Sequence, residues 1–395
     1  MQNADWLTIR NRIDNLLPEL ILLRRNLHQT PELGWEEYKT TEKIWTFLKG
    51  KGIKKLVRPL KTGVVAEIIN NPKAAFIGIR ADIDALPIQD EKTVEYHSQV
   101  EGVSHACGHD IHTTIVCGIA ALMRYYQNRI PLNLRFIFQP AEEPIPSGAP
   151  KLIELGVLDK IQTMWAMHVE PALQLGSVGL AKGWVNAQSI KLEWEIQGIS
   201  GHSARPHLAR NPINAGIRLV EQIDQYLKER KSDDQYPTVL AFTNFKSRGE
   251  AYNAIPDKVF MGATLRLTDI SLKDNFLWEI ANINRSIEVE YGLKLNFNFI
   301  AGSPPVLNDT AVIDRFHNNL QQLKISDFQL VNHHRSMGGD DFGWYSRKVP
   351  SALIRFGVGL NNQAPAVHTG LFDAPDGIIP LAILFFISQI FLWGK

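Results

Sequence analysis

The densest group of side chains that could do chemistry lies between Ser104 and His112, in the order Ser-His-Ala-Cys-Gly-His-Asp-Ile-His. Imidazole and thiolate groups bind zinc, manganese, nickel or cobalt, and an aspartate beside a ligating histidine can fix its tautomer. Gly108 allows a sharp turn, so that Cys107 and His109 can point at one place. The alternative is a surface loop that happens to be rich in histidine, because short metal-ligand patterns also occur by chance.

Further candidate side chains follow short apolar runs that predict buried strands. Asp82 follows one such run, Glu142 and Glu143 follow a second, and His168 ends a third. Open α/β sheets bind ligands at the carboxyl ends of their strands, so these residues are well placed for a site. Neighbouring side chains in extended backbone point to opposite sides, so one glutamate could hold a metal while the other faces a bound water.

Each of these candidates also has a purely structural interpretation. Asp82 and Asp84 could cap the segment that follows them, and the two glutamates could form a solvated acidic loop. A lone histidine such as His168 is more often a hydrogen-bonded core residue than a metal ligand.

Together, the candidates can hold two metal ions that share a bridging group. The ligands in this hypothesis are Cys107, His109, Glu143, His168 and, near the C-terminus, His368. A bound metal can bring the pKa of water to about 7. Glu142, left free of the metal, is suited to take that proton and pass it to a leaving amine. The implied reaction is hydrolysis of an amide bond.

Two rival hypotheses use the same residues differently. In a cysteine hydrolase Cys107 would be the nucleophile, with His105 or His109 as base. That hypothesis leaves the two glutamates, His168 and His368 without a role. In the other, the chain binds metal without turning over a substrate.

The composition is that of an ordinary soluble globular protein. Of its residues, 45% are hydrophobic and 21% are charged. A length of 395 residues is enough for two domains or for one large domain with an insertion. The net charge of +1 argues against nucleic acid or an anionic membrane as the main partner. Two cysteines cannot build a disulfide framework, which favours a cytoplasmic location over secretion.

Neither end of the sequence is typical of a targeting or membrane segment. Residues 1–6 lack a charged region followed by an apolar run, so no signal peptide is expected. Residues 378–393 are apolar and uncharged, but they are fewer than the roughly 20 that a spanning helix needs. We expect this segment to be a C-terminal helix buried against a sheet.

The pattern of apolar residues changes along the chain and predicts an α/β fold with an insertion. Short, continuously apolar runs typical of strands buried on both faces occur before about residue 187 and again after 300. Between them, strands 190–196, 239–245, 258–267 and 293–300 alternate apolar and polar residues, which indicates an antiparallel sheet with one wet face. We therefore predict a catalytic domain over 1–187 and 301–395 and an inserted domain over 188–300.

The remaining elements follow from helical spacing and strand composition. Helices are expected over about 13–27, 35–48, 113–127, 212–230, 276–291 and 309–323, and the buried strands over 64–69, 75–80, 134–138, 163–168 and 351–356. Asn211 followed by Pro212 predicts a helix N-cap.

Taken in order, these motifs resemble the aminoacylase/carboxypeptidase clan of metal-dependent amidohydrolases. Within it the chain is similar to hippurate hydrolases, N-acetyl-diaminopimelate deacetylases and auxin–amino acid conjugate hydrolases, nearly from end to end. The resemblance is carried by Arg24-Arg25 with His28, Pro31-Glu32-Leu33, Glu37, Arg80 to Pro87, His105 to Asp110, Gln139 to Glu143, Gly201-His202 with Pro206-His207, Asn253 to Asp257, and His368.

The resemblance implies the same five metal ligands, with Glu142 as acid/base and Asp82 as the second residue of the catalytic set, beside the ligands. It also implies a mixed, mostly parallel sheet flanked by helices, interrupted by an α+β lid domain that often forms a homodimer. The lid would offer His202, Asn253 and Arg266 to the substrate. The implied substrates are small N-acyl-amino acids with acetyl, benzoyl or similar acyl groups, and the cofactors are two divalent ions (Mn, Zn, Ni or Co). A metal-dependent dipeptidase or carboxypeptidase is the alternative within the family.

The sequence departs from the usual family pattern in loops near the substrate. Asp340-Asp341-Phe342 stands where Glu-Asp-Phe is usual, and Arg248-Gly249 replaces a glycine pair. The loop after Glu143 is rich in proline, with Ser147-Gly148 in place of another glycine pair. These changes affect the expected substrate more than the expected chemistry.

Overall fold

The computed structural model describes residues 3–230, 236–323, 327–331, 335–360 and 365–393. By its internal contacts the chain divides into two units. The first comprises Met1–Val185, Val306–Arg335 and Asp341–Lys395, and the second comprises Asn186–Pro305 and Ser336–Asp340. A lid or dimerisation role for the second unit stays a prediction.

Helices and strands occur in both units. Within the described residues the helices are α1 (Asn3–Gln29), α2 (Tyr38–Gly50), α3 (His109–Tyr125), α4 (Gly148–Glu154), α5 (Pro212–Glu229), α6 (Lys273–Tyr291), α7 (Thr310–Leu323), α8 (Gly343–Ser346) and α9 (Ile378–Trp393). The strands are β1 (Lys55–Val57), β2 (Val64–Ile68), β3 (Phe76–Asp82), β4 (Asn133–Gln139), β5 (Ile161–Gln174), β6 (Ser177–Gly179), β7 (Gly183–Asn186), β8 (Gln188–Gln197), β9 (Gly201–His202), β10 (Thr238–Ser247), β11 (Ala254–Ile255), β12 (Lys258–Leu267), β13 (Lys294–Ala301), β14 (Val306–Asn308), β15 (Gln329–Val331) and β16 (Ser351–Gly359).

The first unit is built on a mixed sheet with the strand order β1-β2-β4-β3-β5-β16-β6-β15. Its centre is parallel: β3 pairs with β4 and β5, and β5 pairs with β16. Antiparallel pairs join β1 to β2, β2 to β4, and β16 to β6. Every residue of β3 and β16 is buried, as expected for central strands covered on both faces. The predicted mixed sheet flanked by helices is confirmed.

Two apolar clusters cover the two faces of this sheet. Phe136 and Phe138 of β4 pack with α1, α3 and α9, whereas Ile137 between them packs with α4 and α8 on the other face. This alternation follows from the period of two in a strand. The C-terminal helix α9 is buried in the first cluster, as predicted. No helix among the described residues combines the length and the apolar character needed to cross a membrane.

The second unit contains an antiparallel sheet with the strand order β10-β12-β8-β13, and α5 and α6 pack against it. Alternate residues of β8 are buried, as the sequence pattern predicted. The Asn211 side chain accepts a hydrogen bond from the Ile213 N–H at 3.0 Å, with Pro212 at the first helical position. The predicted cap of α5 is thereby confirmed.

Two predicted helix starts near the candidate site were wrong by several residues, and α1 also begins earlier than expected, at Asn3 rather than at 13. Helix α3 begins at His109 rather than at 113, because Gly108 adopts a φ of 86° and its carbonyl accepts the first helical hydrogen bonds. Helix α2 begins at Tyr38 rather than at 35, because Trp35 has a φ of 72°, outside the helical region. The first of these differences places His109 and His112 on one helix.

Candidate metal centre

The start of α3 brings Cys107 and His109 together at the carboxyl end of the central strands. Gly108 lies between them at a φ of 86°, and a Cβ at this position would lie 2.6 Å from a methyl group of Val169. Only glycine can adopt this φ and also leave room for the Val169 methyl group without strain. The expected sharp turn is therefore present, and Cys107 and His109 offer donor atoms to the same space.

Glu142 and Glu143 follow β4 in a segment that is not extended. Ala141 has a φ of 54°, and its N–H donates to the buried carboxylate of Glu37 at 2.7 Å. The Glu143 N–H donates to Asp84 at 3.0 Å. The two glutamates converge with His109, with donor atoms within 4.8 Å of one another. The expectation that they point to opposite sides was wrong, because it assumed extended backbone beyond the strand.

His168, on β5, presents one ring nitrogen to Cys107. Its Nδ1 lies 2.6 Å from the carbonyl oxygen of Val169 and donates a hydrogen bond to it. Its Nε2 lies 3.4 Å from the Cys107 Sγ. A backbone acceptor on one nitrogen thus leaves the other with a lone pair for a cation, an arrangement common for metal-binding histidines.

His368 reaches the same group from the C-terminal part of the chain. Its N–H donates to the Ala106 carbonyl at 2.7 Å, beside the turn that carries Cys107. Its backbone adopts a φ of 64°, which is unusual for a residue with a side chain. Its Nε2 lies 3.4 Å from the Glu143 Oε1. The strained backbone therefore places this imidazole against the glutamate.

The predicted ligands form overlapping groups whose donor atoms lie within 4.8 Å of one another. One group is Cys107, His109 and His168, and a second is Cys107, Glu143 and His368. His109 Nε2 and Glu143 Oε1 are buried without hydrogen-bond partners, 3.9 Å apart. Buried polar atoms without partners are costly unless something binds them. A thiol, imidazoles and a carboxylate in two groups that share Cys107 fit a pair of divalent cations.

The electrostatics of the pocket favour a positive charge at His109 but not at His168. Burial opposes an imidazolium at His109, yet Asp82, Cys107 and Asp84 outweigh it and raise the pKa of His109 well above its usual range. Burial lowers the pKa of His168 well below its usual range, and Arg355 and His112 lower it further. His168 is therefore neutral at pH 7, which is the form that binds metal. Burial also raises the pKa of the Cys107 thiol to about 12, which a cation would reverse.

His112 was not among the predicted site residues, although it supports two of them. Its Nδ1 lies 2.6 Å from Asp82 Oδ1, and its Nε2 accepts the Val169 N–H at 3.0 Å. Since Nε2 accepts, Nδ1 must carry the proton and donate it to Asp82. His112 therefore fixes Asp82 and the backbone next to His168. The sequence held a signal for it, because His109 and His112 lie three residues apart on one helix face.

Replacing His112 by phenylalanine is expected to weaken the site without removing a ligand. The change leaves Asp82 Oδ1 and the Val169 N–H buried without this partner, which costs about 1–3 kcal/mol for each group. Residues that hold metal ligands in place contribute about 10- to 100-fold to metal affinity. Denaturant unfolding and a metal titration measure the two effects. The exposed His97 gives a control, His97→Phe, that should change neither, and unchanged metal affinity in His112→Phe contradicts the assignment.

A buried ionic cluster lies behind the start of α3. The Arg24 guanidinium, which is 1% exposed, forms ion pairs with Asp110, Asp373 and Asp376. His28 Nδ1 lies 2.9 Å from Asp110 Oδ2. Asp110 follows His109, and Asp373 lies shortly after His368. This cluster therefore joins α1 to both segments that carry these histidines and gives a structural role to the motif containing Arg24 and His28.

The three predicted substrate-binding residues lie in the second unit. His202 pairs with Ala254 across the β9–β11 ladder, and the Ser203 N–H donates to the Asn253 carbonyl at 3.0 Å. His202 and Asn253 are therefore neighbours. Arg266 lies on β12, between Ser189 and Val239 of the flanking strands. Their contribution to substrate binding stays a prediction.

Known proteins resemble this chain in sequence and fold. Residues 78–385 match peptidase family M20/M25/M40. An N-acetylcysteine deacetylase from Bacillus subtilis strain 168 is 33% identical over 368 residues, which cover 93% of this chain and 94% of the relative. An N-acyl-L-amino acid amidohydrolase from Geobacillus stearothermophilus is 35% identical over 300 residues, 76% of this chain and 80% of the relative. A crystal structure of a Bacillus subtilis protein, described as a dinuclear metal binding peptidase of family M20, has a TM-score of 0.83 and 30% identity, covering 96% of this chain and 99% of that chain.

Proposed function

Because the chain belongs to peptidase family M20/M25/M40, we propose that it is a metal-dependent amidohydrolase that cleaves the amide bond of small N-acyl-amino acids. The observation that carries this proposal is the pair of donor groups that share Cys107, with the Glu142 carboxylate beside them. The products are a carboxylic acid and a free amino acid.

The proposed ligands of the two cations are Cys107, His109, Glu143, His168 and His368. Bound there, divalent cations would polarise the substrate carbonyl and make a water molecule more acidic. Asp82 takes no part in proton transfer in this proposal, because it is held by Arg80 and His112 and serves to support the ligands.

Glu142 is the proposed acid and base. Its carboxylate lies within 4.8 Å of donor atoms of His109 and Glu143. It is therefore next to the proposed cations, although the five proposed ligands do not include it. From there it can accept a proton from water and deliver it to the nitrogen of the leaving amine.

A cysteine nucleophile fits this geometry less well. The reactive species would be a thiolate, and burial raises the pKa of Cys107 to about 12. A catalytic cysteine instead has a lowered pKa and an accessible sulfur, whereas Cys107 is buried. The sulfur is better suited to bind a cation, which stabilises its ionised form.

The names of the relatives support the proposed substrate class. A deacetylase and an N-acyl-amino acid amidohydrolase both remove an acyl group from an amino acid nitrogen. In this proposal His202, Asn253 and Arg266 contact the substrate, with Arg266 binding its carboxylate. The proline-rich loop after Glu143 adjoins the site and is the proposed determinant of acyl-group preference.

We also propose that the protein acts in the cytoplasm as a homodimer formed through its second unit. Its two cysteines are unpaired, which suits a reducing compartment. A net charge of +1 fits a small-molecule substrate better than nucleic acid or an anionic membrane. The mixed donor set suits manganese, zinc, nickel or cobalt.

Metal removal and substrate comparison test the proposed function together. The purified protein is assayed with N-acetyl-, N-benzoyl- and longer N-acyl-amino acids after dialysis against a chelator and again after addition of each metal. We expect hydrolysis to disappear on chelation and to return with at least one of Mn, Zn, Ni and Co, because several kcal/mol of transition-state stabilisation come from the metal. Full activity in protein shown by elemental analysis to lack metal contradicts the proposal.

A further inference from the structure

The main chain of Asp341 contacts the proposed base directly. Its N–H donates a hydrogen bond to Glu142 Oε1 at 3.2 Å. Asp341 belongs to the segment Asp340-Asp341-Phe342, to which the proposed reaction assigns no role. A main-chain donor in a fixed position restricts where a carboxylate can point.

The side chain of Asp341 is held firmly in place. It is buried, and its Oδ1 accepts from Arg80 Nη2 at 2.7 Å. Its Oδ2 accepts from Gln139 Nε2 at 2.7 Å and from the Ala149 N–H at 3.1 Å. Both carboxylate oxygens are thus engaged by donors from three elements, and the Asp341 backbone is fixed with them.

Arg80 connects this arrangement to the metal-ligand side of the pocket. The guanidinium is fully buried and also binds Asp82 and Gln139. Asp82 in turn accepts from His112, which holds the backbone beside His168. Arg80 therefore binds both Asp341, whose N–H contacts the proposed base, and Asp82, which lies beside the proposed ligands.

We propose that Asp341 is a positioning residue for Glu142: its buried side chain, locked by Arg80 and Gln139, holds its N–H where it fixes the orientation of the Glu142 carboxylate. This inference rests on the proposed function, because it takes Glu142 as the acid and base. The rival explanation is that the Arg80–Asp341 pair stabilises the fold and nothing more. The two explanations differ in whether kcat of folded, metal-loaded protein depends on Asp341.

Asp341→Asn changes the hydrogen bonds that hold the side chain of residue 341. An amide nitrogen in place of Oδ2 would face the donors of Gln139 and Ala149, and in place of Oδ1 it would face Arg80, which can only donate. Gln139 cannot turn over to compensate, because its Oε1 accepts from Arg80 Nε at 3.1 Å. The residue must therefore move, and its N–H moves with it.

We expect Asp341→Asn to lower kcat by about 10- to 100-fold, because small displacements of a catalytic group have effects of that size. KM should stay within about twofold and the metal content per chain should not change, because neither the substrate contacts nor the ligands are altered. Asp341→Glu is the second variant. It keeps the charge, but its extra methylene must displace the main chain in a filled site, so kcat should fall by about tenfold.

Exchanging the carboxylate and the amide should restore activity. In Gln139→Glu/Asp341→Asn, the new carboxylate accepts from Arg80 and from the asparagine amide, while the asparagine oxygen accepts from Arg80. The total charge is unchanged, and of the hydrogen bonds described above the one from the Ala149 N–H is lost. We expect the double variant to recover at least about fivefold in kcat over Asp341→Asn, and Gln139→Glu alone, which sets two carboxylates side by side, to be less active than wild type.

Glu67→Gln is the matched control for lost stability. It weakens an ion pair with Arg135, 2.7 Å long, on β2 and β4 of the same sheet and outside the site. This variant should melt at a lower temperature with kcat unchanged. Wild-type kcat per metal-loaded chain in both Asp341→Asn and Asp341→Glu would overturn the positioning role. Wild-type turnover in Glu142→Gln would overturn the proposed function instead, so the two failures can be told apart.

Discussion

Replacing Glu142 by glutamine is expected to abolish most turnover while the metals remain bound. Glutamine has nearly the same shape but cannot take a proton from water at neutral pH. General acid–base catalysis contributes about 10²- to 10⁴-fold, so kcat should fall by at least about 10²-fold. Metal content should stay the same, because the two donor groups that share Cys107 do not include this residue. Steady-state kinetics and elemental analysis of the same sample measure both quantities.

This experiment also separates a hydrolase from a protein that binds metal without turnover. The matched control is Glu154→Gln on α4, where an exposed glutamate forms a surface ion pair with Lys151. That change should leave kcat and metal content as they are, because exposed ion pairs contribute little. If Glu142→Gln hydrolyses N-acyl-amino acids as fast as the wild-type protein, another group must accept the proton.

The sequence predicted most elements because their signals are local. The helix α5 begins at Asn211 because a side-chain cap and a following proline act within a few residues. The alternation in β8 and the continuous apolar run of β3 distinguished a half-exposed strand from a central one. The turn at Gly108 could be predicted for the same reason, since it depends on one residue type between two candidate ligands.

Features that depend on distant residues could not be predicted in this way. The convergence of Glu142 and Glu143 depends on Ala141, whose positive φ is accompanied by a hydrogen bond to Glu37, a residue far away in the sequence. The hydrogen bond from Asp341 to Glu142 likewise joins two residues of the first unit that lie 199 positions apart in the sequence. No spacing rule reports such contacts, because they exist only after the sheet has formed.

His112 is an intermediate case. Its position one helical turn after His109 is visible in the sequence, but its role depends on partners from two strands, Asp82 and Val169. Sequence spacing alone could equally have made it a metal ligand. The structure excludes that role in this arrangement, because both ring nitrogens are engaged in hydrogen bonds.

Replacing His109 by alanine is expected to be the most damaging change to the metal site. His109 takes part in three of the donor groups, with Cys107 and His168, with Asp82 and His112, and with the two glutamates. Residues that only support a ligand contribute 10- to 100-fold to metal affinity, so loss of this ligand should cost at least about 100-fold. The metal contribution to the transition state is several kcal/mol, so kcat should fall by about 10³-fold.

A control variant separates the loss of the metal site in His109→Ala from a general loss of stability. His317→Ala on α7 removes a half-buried histidine outside the donor groups and should keep full metal content and activity. His109→Ala should lose activity in proportion to metal at low metal concentration and regain little at saturating metal, because the geometry of the pair is altered. Wild-type metal affinity in His109→Ala would mean that the cations bind elsewhere. In that case the buried nitrogen of His109 and its neighbouring Glu143 oxygen would need a different partner, and the assignment of all five ligands would have to be revised.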